Sequence, residues 1–335
     1  MMRLSTARTS RLARLGIAVA ATALVVGACG DDGDTDAAGD TDEADDAEDG
    51  EAPSFLTMAT GSTGGTYFPL GGAIAGVWSG NIDGLDVSTQ ASGASVENLE
   101  LLDQGEVDLI MSINGSAAGA QAEGQELTFV GNVYREVNQI VARADAGITT
   151  VEDLEGMSVA IGPPGSGTAV FAEALLDRAG IELGEARQET FGEAADLLRD
   201  GTIDASFGVL ALPAGSLEEV ARATDLVLVS LEGELLEQTL ADDPTLSEVQ
   251  YEPGTYTGID EPATLVTNWA SLYTTPDLDE DTVYNLVRVL YESNDEIAAA
   301  HAVGSEIQLE TALEGVGDVP IHPGAERYYE EAGAL

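Results

Sequence analysis

Short apolar runs alternate with longer stretches of helical spacing over most of the chain, and small, polar, glycine-bearing turns separate them. Residues 55–59, 85–89 and 108–113 read as strands. Each ends in such a turn: Gly61-Ser-Thr-Gly-Gly-Thr-Tyr67, Ala91-Ser-Gly-Ala-Ser95 and Asn114-Gly-Ser-Ala117. Helices are predicted over 68–78 and 96–102, the second with Ser95 as its N-cap and Gly105 at its stop. Residues 137–142 predict a further strand, and 150–156 a short capped helix and turn at the crossing into a second lobe. There 158–161 is a strand, Gly162-Pro-Pro-Gly-Ser-Gly-Thr168 echoes the first turn, and 169–179 is a helix ended by Gly180. Thr190 and Glu193 have capping-box spacing ahead of a helix over 194–199. Strands are predicted over 204–209, 226–231 and 263–269, the last returning to the first lobe, while 232–258 shows no clear period. Over 280–293, Val283, Leu286, Val287, Leu290 and Tyr291 share one face and predict a core-facing helix. The alternation points to α/β architecture with mainly parallel sheets.

The two long glycine turns carry the first chemical suggestion. Each joins a strand to a helix, where the first helical N–H groups lack partners within the helix and bear the positive end of its dipole. Glycine lets a ligand approach the backbone, and serine or threonine hydroxyls add contacts. Two such turns, one from each half, would hold a small anion between them without a cationic side chain. Taken singly, each turn is equally at home as plain α/β connection. Neither is a nucleotide P-loop, because the chain has no lysine, and the first does not fit Gly-x-Gly-x-x-Gly.

Charge narrows the partners. Twelve arginines stand against 61 acidic residues, a formal net charge of −49, which excludes nucleic acid. Arg3, Arg8, Arg11 and Arg14 lie at the start and every Asp and Glu follows Cys29, so the remainder is more acidic still. This suggests a protein adapted to concentrated salt, where repulsion among carboxylates is screened, set against the acidic bias of a GC-rich genome. With 335 residues, 44% of them apolar, the chain exceeds one typical domain and can bury a substantial core.

The arginine-bearing start leads into an apolar run over 15–26, too short to span a bilayer, which reads as a signal peptide over 1–28. It closes on Val26-Gly27-Ala28-Cys29, which resembles the lipobox of bacterial lipoproteins, in which the cysteine is acylated and becomes the new N-terminus. Cys29 is the only cysteine, so no internal disulfide forms. Residues 29–52 then read as a lipidated cysteine and a disordered acidic tether. Asp32, Asp34, Asp36, Asp40 and Glu43 match five EF-hand ligand positions, but Ala37 stands where that loop needs glycine.

Few catalytic arrangements are available. His301 and His322 are the only histidines, which disfavours a zinc site, and His322-Pro-Gly reads as a turn. Pro164-Gly-Ser-Gly-Thr168 lacks the first glycine of a hydrolase nucleophile elbow. Arg143 is either a partner for a ligand carboxylate or structural. No metal, cofactor or catalytic residue is assigned.

Several segments in order then resemble one family. Ala59-Thr-Gly-Ser-Thr-Gly-Gly-Thr-Tyr-Phe-Pro-Leu-Gly72, Ala91-Ser-Gly-Ala-Ser-Val-Glu-Asn98, residues 148–156, Gly162 to Thr168, Gly201-Thr-Ile-Asp-Ala205 and His322-Pro-Gly-Ala325 are similar to TAXI-type solute receptors. These are the extracytoplasmic binding proteins of TRAP transporters, and the resemblance covers 54–333. It implies a type 2 periplasmic-binding-protein fold of two α/β lobes, 53–145 plus 255–335 and 146–254, closing on ligand in the cleft. It implies a receptor, not an enzyme, that delivers a small organic anion (dicarboxylate, 2-oxoacid or acidic amino acid such as glutamate) to an ion-gradient-driven permease. The site it implies comprises Ser62, Thr63, Gly64, Gly65, Thr66, Tyr67, Ala94, Ser95 and Asn98 from lobe one with Ser166, Gly167 and Thr168 from lobe two. From the residues alone, Tyr67 and Asn98 serve equally as core or cap. Where the family has a glutamine, a polar residue and an aspartate, this chain has Ile113, Asn114 and Gly115, with Asn114 a partial substitute. The alternatives are a receptor of an ATP-driven importer or sensor system, and an exported α/β enzyme.

Overall fold

The computed structural model describes residues 54–335. The signal segment, Cys29, the acidic tether and its EF-hand-like spacing lie outside the described residues.

The first half opens with β1 (Ser54–Ala59), α1 (Tyr67–Asn81), β2 (Leu85–Gln90), α2 (Ser95–Asp103), β3 (Leu109–Ile113) and α3 (Asn114–Ala122). The parallel strands run in the order β2-β1-β3, so the turn after each faces the same edge. Strand β4 (Thr128–Arg143) then carries the chain into the second half. That half holds β5 (Ser158–Ala160), α4 (Gly167–Ala179), β6 (Glu185–Arg187), α5 (Phe191–Arg199), β7 (Ala205–Leu210), α6 (Gly215–Ala221), β8 (Leu226–Leu228), α7 (Gly233–Asp242) and β9 (Ser247–Tyr251). Strand β10 (Ala263–Thr274) returns, and α8 (Glu280–Glu292), α9 (Asn294–Ala300) and α10 (Pro323–Ala332) complete the first half.

Strands β4 and β10 pair antiparallel along most of their lengths and join the halves, giving the path β2-β1-β3-β10-β4-β7-β5-β6. Each also pairs antiparallel with its outer neighbour, β10 with β3 and β4 with β7, and the strands beyond are parallel, so the sheet is mixed. Each half has its own core. In the first, α8 buries Val283, Leu286, Val287, Leu290 and Tyr291, the face that its 3.6-residue period predicts. In the second, Leu175, Leu198, Phe207 and Val220 are buried from four different elements. The hydroxyls of Tyr291 and Tyr329 donate to the carbonyls of Asn132 (2.9 Å) and Val130 (2.7 Å), fastening α8 and α10 to β4.

Local signals explain the helix ends. Thr190 and Glu193 form the reciprocal capping box that their spacing predicts, and Gly180 ends α4 in the left-handed conformation. Ser95 does not cap α2, contrary to the sequence reading. The cap position is Ala94, and Ser95, already helical, turns its hydroxyl to accept the Ile113 N–H at 3.2 Å. His322-Pro-Gly begins α10 instead of forming a simple turn. Its ring Nδ1 accepts the Gly324 N–H (3.1 Å) with Pro323 at the first helical position, where no N–H is needed.

Candidate functional site

The turn after β1 and the turn after β5 approach each other across the cleft. In the first, the Gly65 N–H closes onto the Ser62 carbonyl (2.9 Å) and aims α1 at the opposite half. In the second, Ser166 caps α4 by accepting the Ala169 N–H (3.1 Å) and donating to the Pro163 carbonyl (2.6 Å). Gly162 and Gly165 both have positive φ there, +100° and +69°. The Gly165 carbonyl accepts the N–H groups of Val96 and Glu97, each at 3.0 Å. The amino end of α2 is therefore spent on the opposite loop, and the amino ends of α1 and α4 remain for the space between.

That space is an inner cavity of about 20 Å³. It is lined by Gly61, Ser62, Gly65, Thr66, Tyr67, Ala94 and Ser95 from the first half and by Ser166, Gly167, Thr168, Phe191, Val209 and Leu210 from the second, with Ile113 and Glu136. A volume of this size holds roughly one water, so an organic ligand requires the halves to part. Ile113 separates it from an outer pocket of about 420 Å³ whose lining includes Leu99, Val170, Phe171 and Asn268.

The halves touch at points where only hydrogen occupies the Cβ position. A Cβ on Gly93 would meet the Pro164 carbonyl, one on Gly64 would stand 2.6 Å from the Gly192 nitrogen, and one on Gly167 2.6 Å from Cδ1 of Ile113. The Ala211 N–H also crosses the cleft to Thr66 Oγ1 (3.3 Å). This is a closed arrangement.

The cavity's polar groups are hydroxyls. Thr168 Oγ1 accepts the Val209 N–H (3.1 Å), and since a hydroxyl that accepts still has its own hydrogen, it keeps a donor. Ser62 is buried, and its Oγ has no partner. The hydroxyls of Ser95 and Thr66 lie toward those of Tyr67 and Tyr134. Tyr67 reaches Oε2 of Glu136 (2.9 Å) and Tyr134 reaches Oε1 (2.7 Å). Burial pushes the Glu136 carboxyl up to about 8, against the two tyrosine hydrogen bonds that lower it, and burial raises both phenols.

No arginine lines this cavity. All eight arginines among the described residues are ion-paired: Arg143 with Asp145, Arg135 with Glu314, Arg178 with Asp242, and the others with neighbours on their own half. Of the residues that the sequence nominates, Ser62, Gly65, Thr66, Tyr67, Ala94, Ser95, Ser166, Gly167 and Thr168 meet at the inner cavity. Thr63 and Gly64 line a neighbouring surface groove. Asn98 lies outside the lining and donates to the carbonyls of Thr60 (2.6 Å) and Met111 (2.7 Å), tying β1 to β3. Asn114 turns away to the Gly315 carbonyl (2.6 Å) and accepts from Ser271 and Tyr273. Sequence reasoning missed Glu136, Phe191, Val209 and Leu210. Glu136 is the one acid in β4, but Asn132, Arg135, Asn138 and Gln139 around it hide that it is buried.

The profile of the NMT1-like family matches residues 58–333. Among solved structures, the fold is similar to a protein of Bordetella bronchiseptica RB50 (16% identity, 83% of this chain and 98% of that one, TM-score 0.54). A candidate L-cystine ABC transporter protein of Listeria monocytogenes is also similar (12% identity, 79% and 98%, TM-score 0.51). So is a chain from work on glutathione import through GshT and the cystine ABC importer TcyBC of Streptococcus mutans (11% identity, 76% and 94%, TM-score 0.50). The fold is the two-lobed α/β fold of periplasmic binding proteins.

Proposed function

The chain belongs to the NMT1-like family, and we propose that it is an extracytoplasmic solute-binding receptor, without catalysis, that captures a small organic anion and delivers it to a membrane permease. The observation that carries this reading is the inner cavity where the two glycine turns meet. It offers the amino ends of α1 and α4 and the unpartnered Ser62 hydroxyl, and it has no cationic side chain to compete with surface carboxylates. A ligand held by fixed dipoles is exchanged from water into a preorganised polar site, and closure then presents one shape to the permease. The resemblance of the turns to TAXI receptors supports a TRAP-type, ion-gradient-driven partner. The likeness to a candidate cystine ABC protein favours, as a second reading, the same fold serving an ATP-driven importer. Cys29 is proposed as the lipid anchor, and residues 53–145 with 255–335, and 146–254, as the two lobes.

Mass spectrometry of whatever co-purifies, followed by thermal shift with that compound, tests the receptor. A ligand recovered unchanged with a raised melting temperature is expected, and turnover overturns the reading. Uptake by membrane vesicles separates the partners, since transport that persists without ATP but collapses with the ion gradient is the TRAP outcome. Cys29→Ser is expected to release the protein from the membrane fraction.

A further inference from the structure

Glu136 is an acid without a cation. It sits in the middle of β4, 3% exposed, on the wall of the inner cavity. Both of its oxygens accept from tyrosines. Its chain neighbour Arg135 pairs with Glu314 and stacks over the Trp269 ring, 4.6 Å from its centre. The residue opposite on β10 is Asn268, which is neutral. The titratable groups facing it are therefore phenols: Tyr67 from α1 and Tyr134 from its own strand, with Tyr273 of β10 acting on Tyr67. Among the described residues, no cationic side chain on any packed element compensates a negative charge at this point; the amino ends of α1 and α4 are the only positive groups at the cavity. Two tyrosine hydrogen bonds offset only part of the cost of burying a carboxylate. A solute carboxylate drawn in by the helix amino ends would add a second negative charge beside it, and two carboxylates that close share a proton.

We propose that Glu136 is the specificity-determining residue of the inner cavity, meeting the ligand's carboxylate as a neutral carboxylic acid that donates its own O–H while Tyr67 and Tyr134 hold its two oxygens. This rests on the anion-receptor reading. The protein then binds a carboxylate together with a proton, and no covalent step is involved. Below the carboxyl's midpoint the proton is already in place. Above it, each captured carboxylate takes one proton from solution, so affinity falls toward tenfold for each pH unit. An ionised Glu136 that paired with a ligand ammonium would give the opposite sign.

The test is calorimetric titration of the protein with succinate and with 2-oxoglutarate from pH 6 to 9.5, in buffers of different ionisation heat. The expected result is a flat dissociation constant at the acid end, a rise approaching tenfold per unit above about pH 8, and uptake of one proton there. Glu136→Gln, a permanent donor of similar shape, is expected to bind at pH 6 within about threefold of the parent and to lose the pH dependence. Tyr134→Phe, which removes a hydrogen bond that favours the ionised form, is expected to move the midpoint to higher pH and covers the case in which the glutamine variant fails to fold. A flat parent profile, release of a proton on binding, or a glutamine variant that keeps the profile overturns the role of Glu136 and leaves the receptor standing. Failure of both acids to bind at any pH overturns the anion receptor and this proposal with it.

Discussion

Ile113 is packed against Gly167 across the cleft, so closely that a Cβ on the glycine would lie 2.6 Å from the terminal carbon of the isoleucine. That contact divides the interlobe space into the inner cavity of about 20 Å³ and the outer pocket of about 420 Å³. Ile113→Ala is expected to merge them. Binding titrations with dicarboxylates of four to seven carbons should show preference moving to longer acids. Because the side chain borders a pocket, the stability loss in urea should sit at the lower end of the usual range, about 2 kcal/mol. An unchanged length preference refutes the partition.

Closure depends on the bare Cα of Gly93. Its φ is not left-handed, so alanine is acceptable to the local backbone, but the added methyl collides with the Pro164 carbonyl of the other half. Gly93→Ala is expected to leave the melting temperature of the free protein nearly unchanged while weakening ligand binding at least tenfold. Small-angle scattering with saturating ligand should show a larger radius of gyration than the parent. Equal radii would mean that the loops yield.

Ala94 has φ 88° and ψ −140°, a backbone conformation nearly reserved for glycine. Such a residue costs about 1–3 kcal/mol, whereas replacing alanine by glycine forfeits about 0.4–1 kcal/mol through the unfolded chain. Ala94→Gly is therefore expected to stabilise the protein by about 1 kcal/mol in chemical denaturation. The Ala94 methyl lines the cavity, so the same variant is expected to bind ligand less tightly. A destabilised variant would show that its packing outweighs the backbone strain.

The pH dependence of stability has a definite sign. The folded-state value for Glu136 is about 8, above an ordinary 4.5, so the native state holds a proton that the unfolded chain gives up. Its contribution is fully present below about pH 4.5 and is lost as pH rises through 8, by at most about 1.4 kcal/mol per unit. The stability of the parent relative to Glu136→Gln is expected to decline steadily over that window in parallel urea titrations. A difference that stays constant, or grows, would place the carboxyl in a more polar setting.

Acidic crowding predicts a salt response. With a net charge of −49, the protein is expected to melt several degrees higher in molar NaCl than in dilute buffer, measured by scanning calorimetry. Equal melting temperatures would assign the acidity to genome composition.

Much of the first half is legible from residue order because its short apolar strands alternate cleanly with helices across glycine-bearing turns. The long strand β4 was legible only over 137–142. Its remaining residues include Asn132, Arg135 and Glu136, which interrupt the apolar run. The structure nonetheless buries Asn132, Glu136, Asn138 and Gln139: Glu136 faces the cavity, and the amides saturate the carbonyls of Thr311 and Glu314 in the same half, of Val266 on β10 and of Ala211 in the other half. A strand covered on both faces has no alternation to read. The segment 232–258 hid α7 and β9 for the opposite reason: both are largely solvent-facing, and polar residues there carry no period. Of the site, the two glycine turns were visible as chemistry-bearing sequence. Asn98 and Asn114 looked equally suitable, since nothing local shows that their amides are committed to distant carbonyls.

The ion pairs, taken together, bear on where this molecule can work. Each arginine among the described residues joins a partner on the same side of the cleft, so none must break when the molecule gapes and none re-forms when it shuts. The seam is instead made of peptide dipoles and close carbon contacts, which dissolved electrolyte scarcely weakens. Parting and closing of the halves therefore make and break no arginine ion pair among the described residues, even as the outer shell of carboxylates responds strongly to added salt.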